Sequence, residues 1–333
     1  MKKRISITAL FLFFLFLASL SYSQQKGVNV RPSKGEISAN ITVNGKPFTS
    51  FISNIRVLDI GKPIFWPIYS AKGTIVNRGW PLLTDIPNEQ NDHPHHTGLF
   101  ITHGVVTAGD VKNLNFWAGR DRGERIRPIK ITDYKSGEDY GLLETVALWE
   151  TPEIGPILEQ TQKTIFRYDE NSRIIDYDIT LKSLKVPVVF EDTKEGGLGL
   201  RVHHELTEEG GSGRYINAEG LEMEANVWGK RSKWIALRGK IEYEPIVIGI
   251  FIHPETNNYP PYWHARGYGL FVFNPFGGRK MFTNDKQPPL TTTINPGNSI
   301  KLKYRLLIYS GELTKEQLEK QYEVYLQQSE SLK

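Results

Sequence analysis

Short runs rich in Val, Ile, Tyr and Phe recur along this chain, and turn residues separate them. The runs are Glu36–Val43, Lys130–Tyr134, Leu142–Trp149, Lys163–Tyr168, Ile174–Leu181, Val188–Phe190, Leu198–Leu206, Ile246–Ile252, Gly269–Phe273 and Ile300–Tyr309. Apolar and polar residues alternate from Arg173 to Thr180, the period-two signature of a strand with one face buried. Runs of this length and spacing predict an all-β fold, a large antiparallel β-sandwich. Only one segment carries a helical period. Thr314 and Gln317 form a capping-box pair, and Leu318, Tyr322 and Tyr325 fall on one face, predicting a C-terminal helix over about 315–327.

The N-terminus reads differently. Lys2, Lys3 and Arg4 precede an apolar stretch from Ala9 to Leu20, and Ser21 and Ser23 stand where a secretory cleavage site needs small residues. We expect a signal peptide over 1–23 and one sandwich domain over 24–333. The expected location is therefore periplasmic or secreted. No later stretch has membrane-spanning length. Gly and Pro are spread rather than pooled in a linker, although Gly210–Gly213 could seam two smaller sandwiches.

Composition narrows the chemistry. The 333 residues contain no Cys, which excludes disulfides, thiolate metal sites and a cysteine nucleophile. Three of the 41 Lys+Arg lie in the leader, and the rest nearly balance the 37 Asp+Glu. A nucleic-acid partner, which would need a clustered basic face, is not expected, nor is a membrane once the leader is gone. The expected partner is an oligosaccharide or other small molecule.

The eight histidines fall into three patches. The first is Asp92-His93-Pro94-His95-His96-Thr97-Gly98-Leu99 with His103 shortly after it, and Asn115-Phe116-Trp117 downstream. Imidazoles at this density suit acid/base work, since their ordinary pKa lies near ~6.5. No cofactor is called for, and a metal at the cluster stays open, because His-x-His-His lacks the spacing of an established metal motif. The second runs from Glu191 through Lys194 and Glu195 to Arg201, His203, His204 and Glu205. Period two places Arg201 and His203 opposite Leu200, Val202 and His204. The third holds Trp228-Gly229-Lys230-Arg231, His253-Pro254 and Tyr262-Trp263-His264-Ala265-Arg266. Aromatic rings beside cations suit sugar faces and sugar carboxylates.

These motifs in this order resemble the PmoA-like family of bacterial secreted proteins. The matching stretches also include Tyr268-Gly269-Leu270 and Asn274-Pro275-Phe276-Gly277. The resemblance implies a galactose-mutarotase-like supersandwich and an association with carbohydrate degradation. A membrane methane oxygenase subunit would be a bundle of spanning helices, so that label does not transfer.

The residues then support a carbohydrate-active enzyme, a lyase, dehydratase or hydrolase. His93, His96, Lys194, Glu195, Arg201 and His264 are the catalytic candidates. His96 or His264 would move the proton, Glu195 would be a partner base, and Lys194, Arg201 or Arg231 would meet negative charge. Trp117, Trp228, Lys230, Arg231, His253, Trp263 and Arg266 are the substrate-binding candidates. Two alternatives stand beside this: a non-catalytic sugar-binding protein, and a metal-dependent oxygenase using three of His93, His95, His96, His253 and His264. All of these readings require the three patches to meet in space.

Overall fold

A computed structural model describes residues 26–53, 60–118, 123–282 and 288–330. The expected leader, Met1–Ser23, lies outside the described residues. Two eight-stranded antiparallel sheets pack face to face. The first runs, in spatial order, Val28–Pro32, Ala39–Val43, Lys46–Ile52, Ile64–Ile68, Leu99–His103, Gly196–Arg201, Leu270–Asn274 and Tyr262–Ala265. The second runs Arg214–Asn217, Trp234–Ile241, Glu244–Ile252, Ser299–Ser310, Ser172–Ser183, Gly155–Tyr168, Tyr140–Thr151 and Arg125–Lys135. A smaller sheet of Thr292–Ile294, Val188–Phe190, Val106–Ala108 and Val111–Leu114 adds Val106, Ala108, Leu114, Val188, Phe190 and Ile294 to the core that the two large sheets share. Strands from both sides of Gly210–Gly213 lie side by side in both large sheets.

Strand alternation explains the layers. Phe65, Leu99, Leu198, Leu200, Phe271, Phe273 and Trp263 of the first sheet meet Phe166, Ile175, Tyr177, Ile248, Tyr304 and Leu306 of the second in one buried core. Three polar residues at alternate positions also point inward. Trp149 Nε1 donates to Gln160 (2.9 Å), Gln160 to Gln162 (3.2 Å) and Gln162 to Thr164 (3.0 Å). A buried polar side chain is tolerated when it is partnered in this way.

The outward faces are covered by different means. On the second sheet, Ile174, Trp234, Val247, Phe251 and Leu307 pack against Leu318, Tyr322 and Tyr325. These come from the helix Lys315–Glu330, whose N-terminus carries the expected reciprocal cap. Gln317 Oε1 accepts from Thr314 N (2.8 Å) and Thr314 Oγ1 from Gln317 N (3.3 Å). On the first sheet, loops fold over Ile64, Phe100, Leu270 and Val272 and add Ile60 and Trp117 to a separate apolar cluster. No described helix is long and apolar enough to cross a membrane.

One expected strand is shorter than the sequence suggested. The run Leu198–Leu206 leaves the sheet after Arg201, and His204–Leu206 forms a turn of 3₁₀ helix. His203 and His204 therefore do not alternate across a strand. Val202 bridges Asn77 while its N–H still donates to Gly269 O (2.9 Å), and the next N–H, of His203, goes to Val76 O (2.9 Å).

The helix seals the second sheet through a few side chains. Leu318→Ala should lower stability by ~2–5 kcal/mol and Thr314→Ala by ~1 kcal/mol. Urea denaturation followed by far-ultraviolet circular dichroism checks both, and equal effects would mean that the helix is not anchored by its apolar face.

Candidate functional site

The site lies on the outward face of the first sheet, where the Gly196–Arg201 strand ends. Arg201 projects outward there and is 1% exposed. Gly199, one outward position earlier, has no side chain, and the Phe100 ring occupies that space. Above the strand end sits the loop carrying the first histidine patch, and Arg78 fixes its shape. Its Nη1 donates to Asp92 O (2.7 Å) and Asp92 Oδ1 (2.9 Å), and its Nη2 donates to His93 O (2.9 Å) and His96 O (2.8 Å). One buried guanidinium thus holds 92–96 by main-chain carbonyls, which also explains how His93 is kept at a φ of 46°.

Asp92 is the hub. Its Oδ1 accepts from Arg78 and from Arg201 Nη2, each at 2.9 Å, and its Oδ2 lies 2.7 Å from His93 Nδ1. Burial pushes this carboxyl up, but Arg201, the His93 hydrogen bond and Arg78 outweigh it and hold it below the usual carboxylate range. An ionised Asp92 favours the His93 tautomer with its proton on Nδ1, turning Nε2 outward as the acceptor. The His93 side chain is 45% exposed, so it can reach a ligand.

Rings line the rest. His93 stacks parallel on His96 (4.8 Å) and on Tyr268 (5.7 Å). Arg201 lies 4.5 Å and Arg266 5.4 Å from the Tyr268 centroid. Trp117 meets the edges of His96 (5.2 Å) and Phe100 (5.5 Å). Arg201 Nη1 and His96 Nδ1 are buried without a hydrogen-bond partner among the described residues. Such orphaned polar atoms at the floor of a site call for a ligand or water.

Three sequence patches therefore meet: His93, His95 and His96 from the first, Arg201 from the second, Arg266 and Tyr268 from the third. Trp117 joins them as a wall rather than an open stacking plate, being 2% exposed. The other candidates lie elsewhere. His264 faces outward on the same sheet, but strand spacing puts its Cα about 12 Å from that of Arg201. Its Nδ1 lies 3.2 Å from Lys194 O, so His264 and Lys194 form a second grouping toward the opposite strand end. Glu195 is half-buried against Gly104, whose N–H its carbonyl accepts at 2.7 Å.

Several expected positions are corrected. Trp263 is 0% exposed between the sheets, with Nε1 donating to Ser232 O (2.9 Å), so it belongs to the core. His253 belongs to the other sheet, edge-on to Tyr325 of the C-terminal helix at 5.9 Å. It therefore stands apart from His93, His95 and His96, and those three are not among the described groups whose ligand atoms converge within 4.8 Å. Arg231 spends its guanidinium on the carbonyls of Asn258 (3.0 Å) and Pro260 (2.7 Å), anchoring a loop. Trp228 and Lys230 lie beside the Tyr262–Ala265 edge strand, where Gly229 N donates to Trp263 O and Trp263 N to Lys230 O. His103, at 0% exposure, packs on Phe190 and Phe276.

Two site residues escaped the sequence reading. Arg78 lies in a loop without any motif. Lys62 is 4% exposed, its Nζ donates to Trp117 O (2.8 Å), and it sits 4.7 Å over Phe100. Burial lowers its ammonium to about 7. A Lys-Pro pair before an apolar run was the only available signal.

An antiparallel supersandwich with one outward face roofed by loops, holding a His–Asp–Arg cluster, is the class this geometry defines. Residues 38–323 match a family described as a family of unknown function (DUF6807), and the chain belongs to it. That match corrects the resemblance to the PmoA-like family, since the matching family is this one. A search of curated proteins finds no match. Among solved structures, the chain is similar to the GH36 α-galactosidase AgaB from Geobacillus stearothermophilus (12% identity, TM-score 0.45), with 85% of this chain and 41% of that one covered. The chain thus spans about two fifths of that protein's length. It is also similar to a galactose mutarotase related enzyme from Lactobacillus acidophilus (7% identity, TM-score 0.35), covering 85% and 97% of the two chains. A galactose mutarotase-like protein from Clostridium acetobutylicum is similar as well (11% identity, TM-score 0.38), with 83% and 93% covered.

Burial also sets an acid limit. It holds His96 far below its ordinary value, lowers His95 and His264 to about 3 and His103 to about 4. All four stay neutral in the fold at a pH where the unfolded chain has charged them. Stability from these groups is full above about pH 6.5 and is lost as pH falls toward 4. Urea midpoints measured from pH 7.5 to 4.5 should fall steeply below 6.5, and His96→Gln should flatten the slope. A flat profile down to pH 5 would contradict buried neutral imidazoles.

Proposed function

We propose that this chain is an extracytoplasmic carbohydrate-active enzyme whose proton-transfer group is His93. The observation that carries this reading is the Asp92 bridge: one carboxylate fixed by two buried guanidiniums orients the exposed imidazole of the cluster. The N-terminal leader pattern supports export. His96 and His264, preferred from sequence, are each 3% exposed, and burial favours their neutral forms. They suit shaping the pocket better than exchanging protons with a substrate.

In this reading His93 Nε2 takes a proton from a sugar carbon or hydroxyl, and Asp92 stabilises the imidazolium that forms. Arg201 is 1% exposed, and its Nη1 is buried without a hydrogen-bond partner among the described residues, so it acts on the reaction through the charge it shares with Asp92 rather than by touching the substrate. Tyr268 and Trp117 give the pocket flat apolar walls. Two carboxylates flanking a scissile bond are not what supports the reading, because Asp92 is committed to three cationic or imidazole partners. Elimination or proton abstraction fits the cluster better than direct hydrolysis.

A turnover screen on oligosaccharides, with and without uronate residues, tests the proposal. On any substrate found, His93→Ala should lower kcat by roughly 10²–10⁴-fold with a small change in KM. Arg201→Gln should act on KM and kcat together. An elimination would yield an unsaturated product absorbing in the ultraviolet. Saturable sugar binding without turnover, undiminished in His93→Ala, would replace the enzyme with a sugar-binding protein.

A further inference from the structure

Beyond the cluster at Asp92, the turn that follows Arg201 brings together a second set of donors. His203, His204 and Glu205 each present a ligand atom, and these atoms lie within 4.8 Å of one another. This is the one such group of three or more His, Asp or Glu ligand atoms among the described residues. It is independent of the histidines from which the sequence suggested a metal.

We infer that His203, His204 and Glu205 form a binding site for a divalent transition-metal ion. The donor set decides the class. Two imidazole nitrogens and one carboxylate oxygen suit Zn²⁺, Co²⁺, Ni²⁺ or Fe²⁺, whereas Ca²⁺ and Mg²⁺ prefer all-oxygen shells. Three protein ligands on half-buried side chains leave coordination positions for water or a ligand.

The backbone that carries the donors is fixed. His203 N donates to Val76 O (2.9 Å), Leu206 N to His203 O (2.9 Å) and Ser212 N to Glu205 O (2.8 Å). The Glu205 carboxylate is oriented by Glu242, whose N–H reaches Oε2 at 2.7 Å, leaving Oε1 for the ion. His204 Nδ1 is buried without a hydrogen-bond partner among the described residues. His203 Nδ1 accepts a long bond from Glu205 N (3.3 Å), which leaves Nε2 as its open nitrogen. Coordination through Nε2 moves the ring proton to Nδ1 and forfeits that bond, so the affinity is moderate rather than that of a structural zinc.

The placement gives the ion a use. His204 lines a small cavity of about 40 Å³ together with Arg78, Arg201 and Tyr268. An ion on this turn lies at the edge of a cavity that Arg201 also lines. Its presence does not depend on the sugar reading, and its test needs no substrate.

The test uses the untagged full chain, stripped with chelator and titrated with Zn²⁺ by calorimetry. One equivalent with a Kd of micromolar order is expected, together with a raised melting temperature. His204→Ala and Glu205→Gln should each weaken binding by about tenfold or more, and His253→Ala should leave it unchanged. Should His204→Ala fail to fold, Glu205→Gln and the visible spectrum of the Co²⁺-loaded wild type carry the test. A mixed nitrogen and oxygen shell of low coordination number intensifies and shifts the bands of the hydrated ion. Absence of saturable binding, undiminished binding in Glu205→Gln, or loss in His253→Ala overturns the site.

Discussion

Two guanidiniums sit almost wholly out of water beneath the loops on the outward face of the first sheet, and a single carboxylate bridges them. Arg78 and Arg201 are each 1% exposed and repel one another. Burial of a charge is costly unless it is paired and hydrogen-bonded, and Asp92 Oδ1 supplies the pairing to both. The carbonyls of Gln90, Asp92, His93 and His96 accept the remaining Nη bonds of Arg78, while its Nε has no partner among the described residues. The histidine loop is therefore the counter-structure to two buried cations rather than an ornament on the sheet. Its ring order, Tyr268 on His93 on His96, follows from where those cations hold the backbone.

Much of this was legible in the sequence. Strand alternation located the core segments, because period two is a direct record of which side chains face the opposing sheet. The capping pair Thr314–Gln317 and the Leu318–Tyr322–Tyr325 stripe located the helix and its buried face. Histidine density pointed to the loop that carries the candidate site, and Arg201 was correctly placed on an outward-facing strand position.

What stayed hidden is equally physical. Alternation tells which face a residue occupies but not which sheet its strand joins, so His253 and His264 looked equivalent although they belong to opposite layers. Trp263 resembled a sugar platform because an indole reads the same whether its flat face meets a ligand or a core. Only the register with Phe273 decides it. Arg78 and Lys62 act through burial, a property of the assembled loops, and neither has a sequence signature. The strand through His203 was overextended because the contacts of Val202 and His203 with Asn77 and Val76 are long-range.

The two outward faces are closed by materials of unequal permanence. A helix from the chain's own tail, capped at its start and interleaved with Trp234 and Phe251, shuts one. Separate loops roof the other; Val76 and Phe116 tie them to the intersheet core, while Ile60 and Trp117 stay in an outer cluster of their own. New residues can enter that roof without disturbing the packing below it. One scaffold of this kind can thus carry different chemistries on a single side while its opposite side stays mechanically inert.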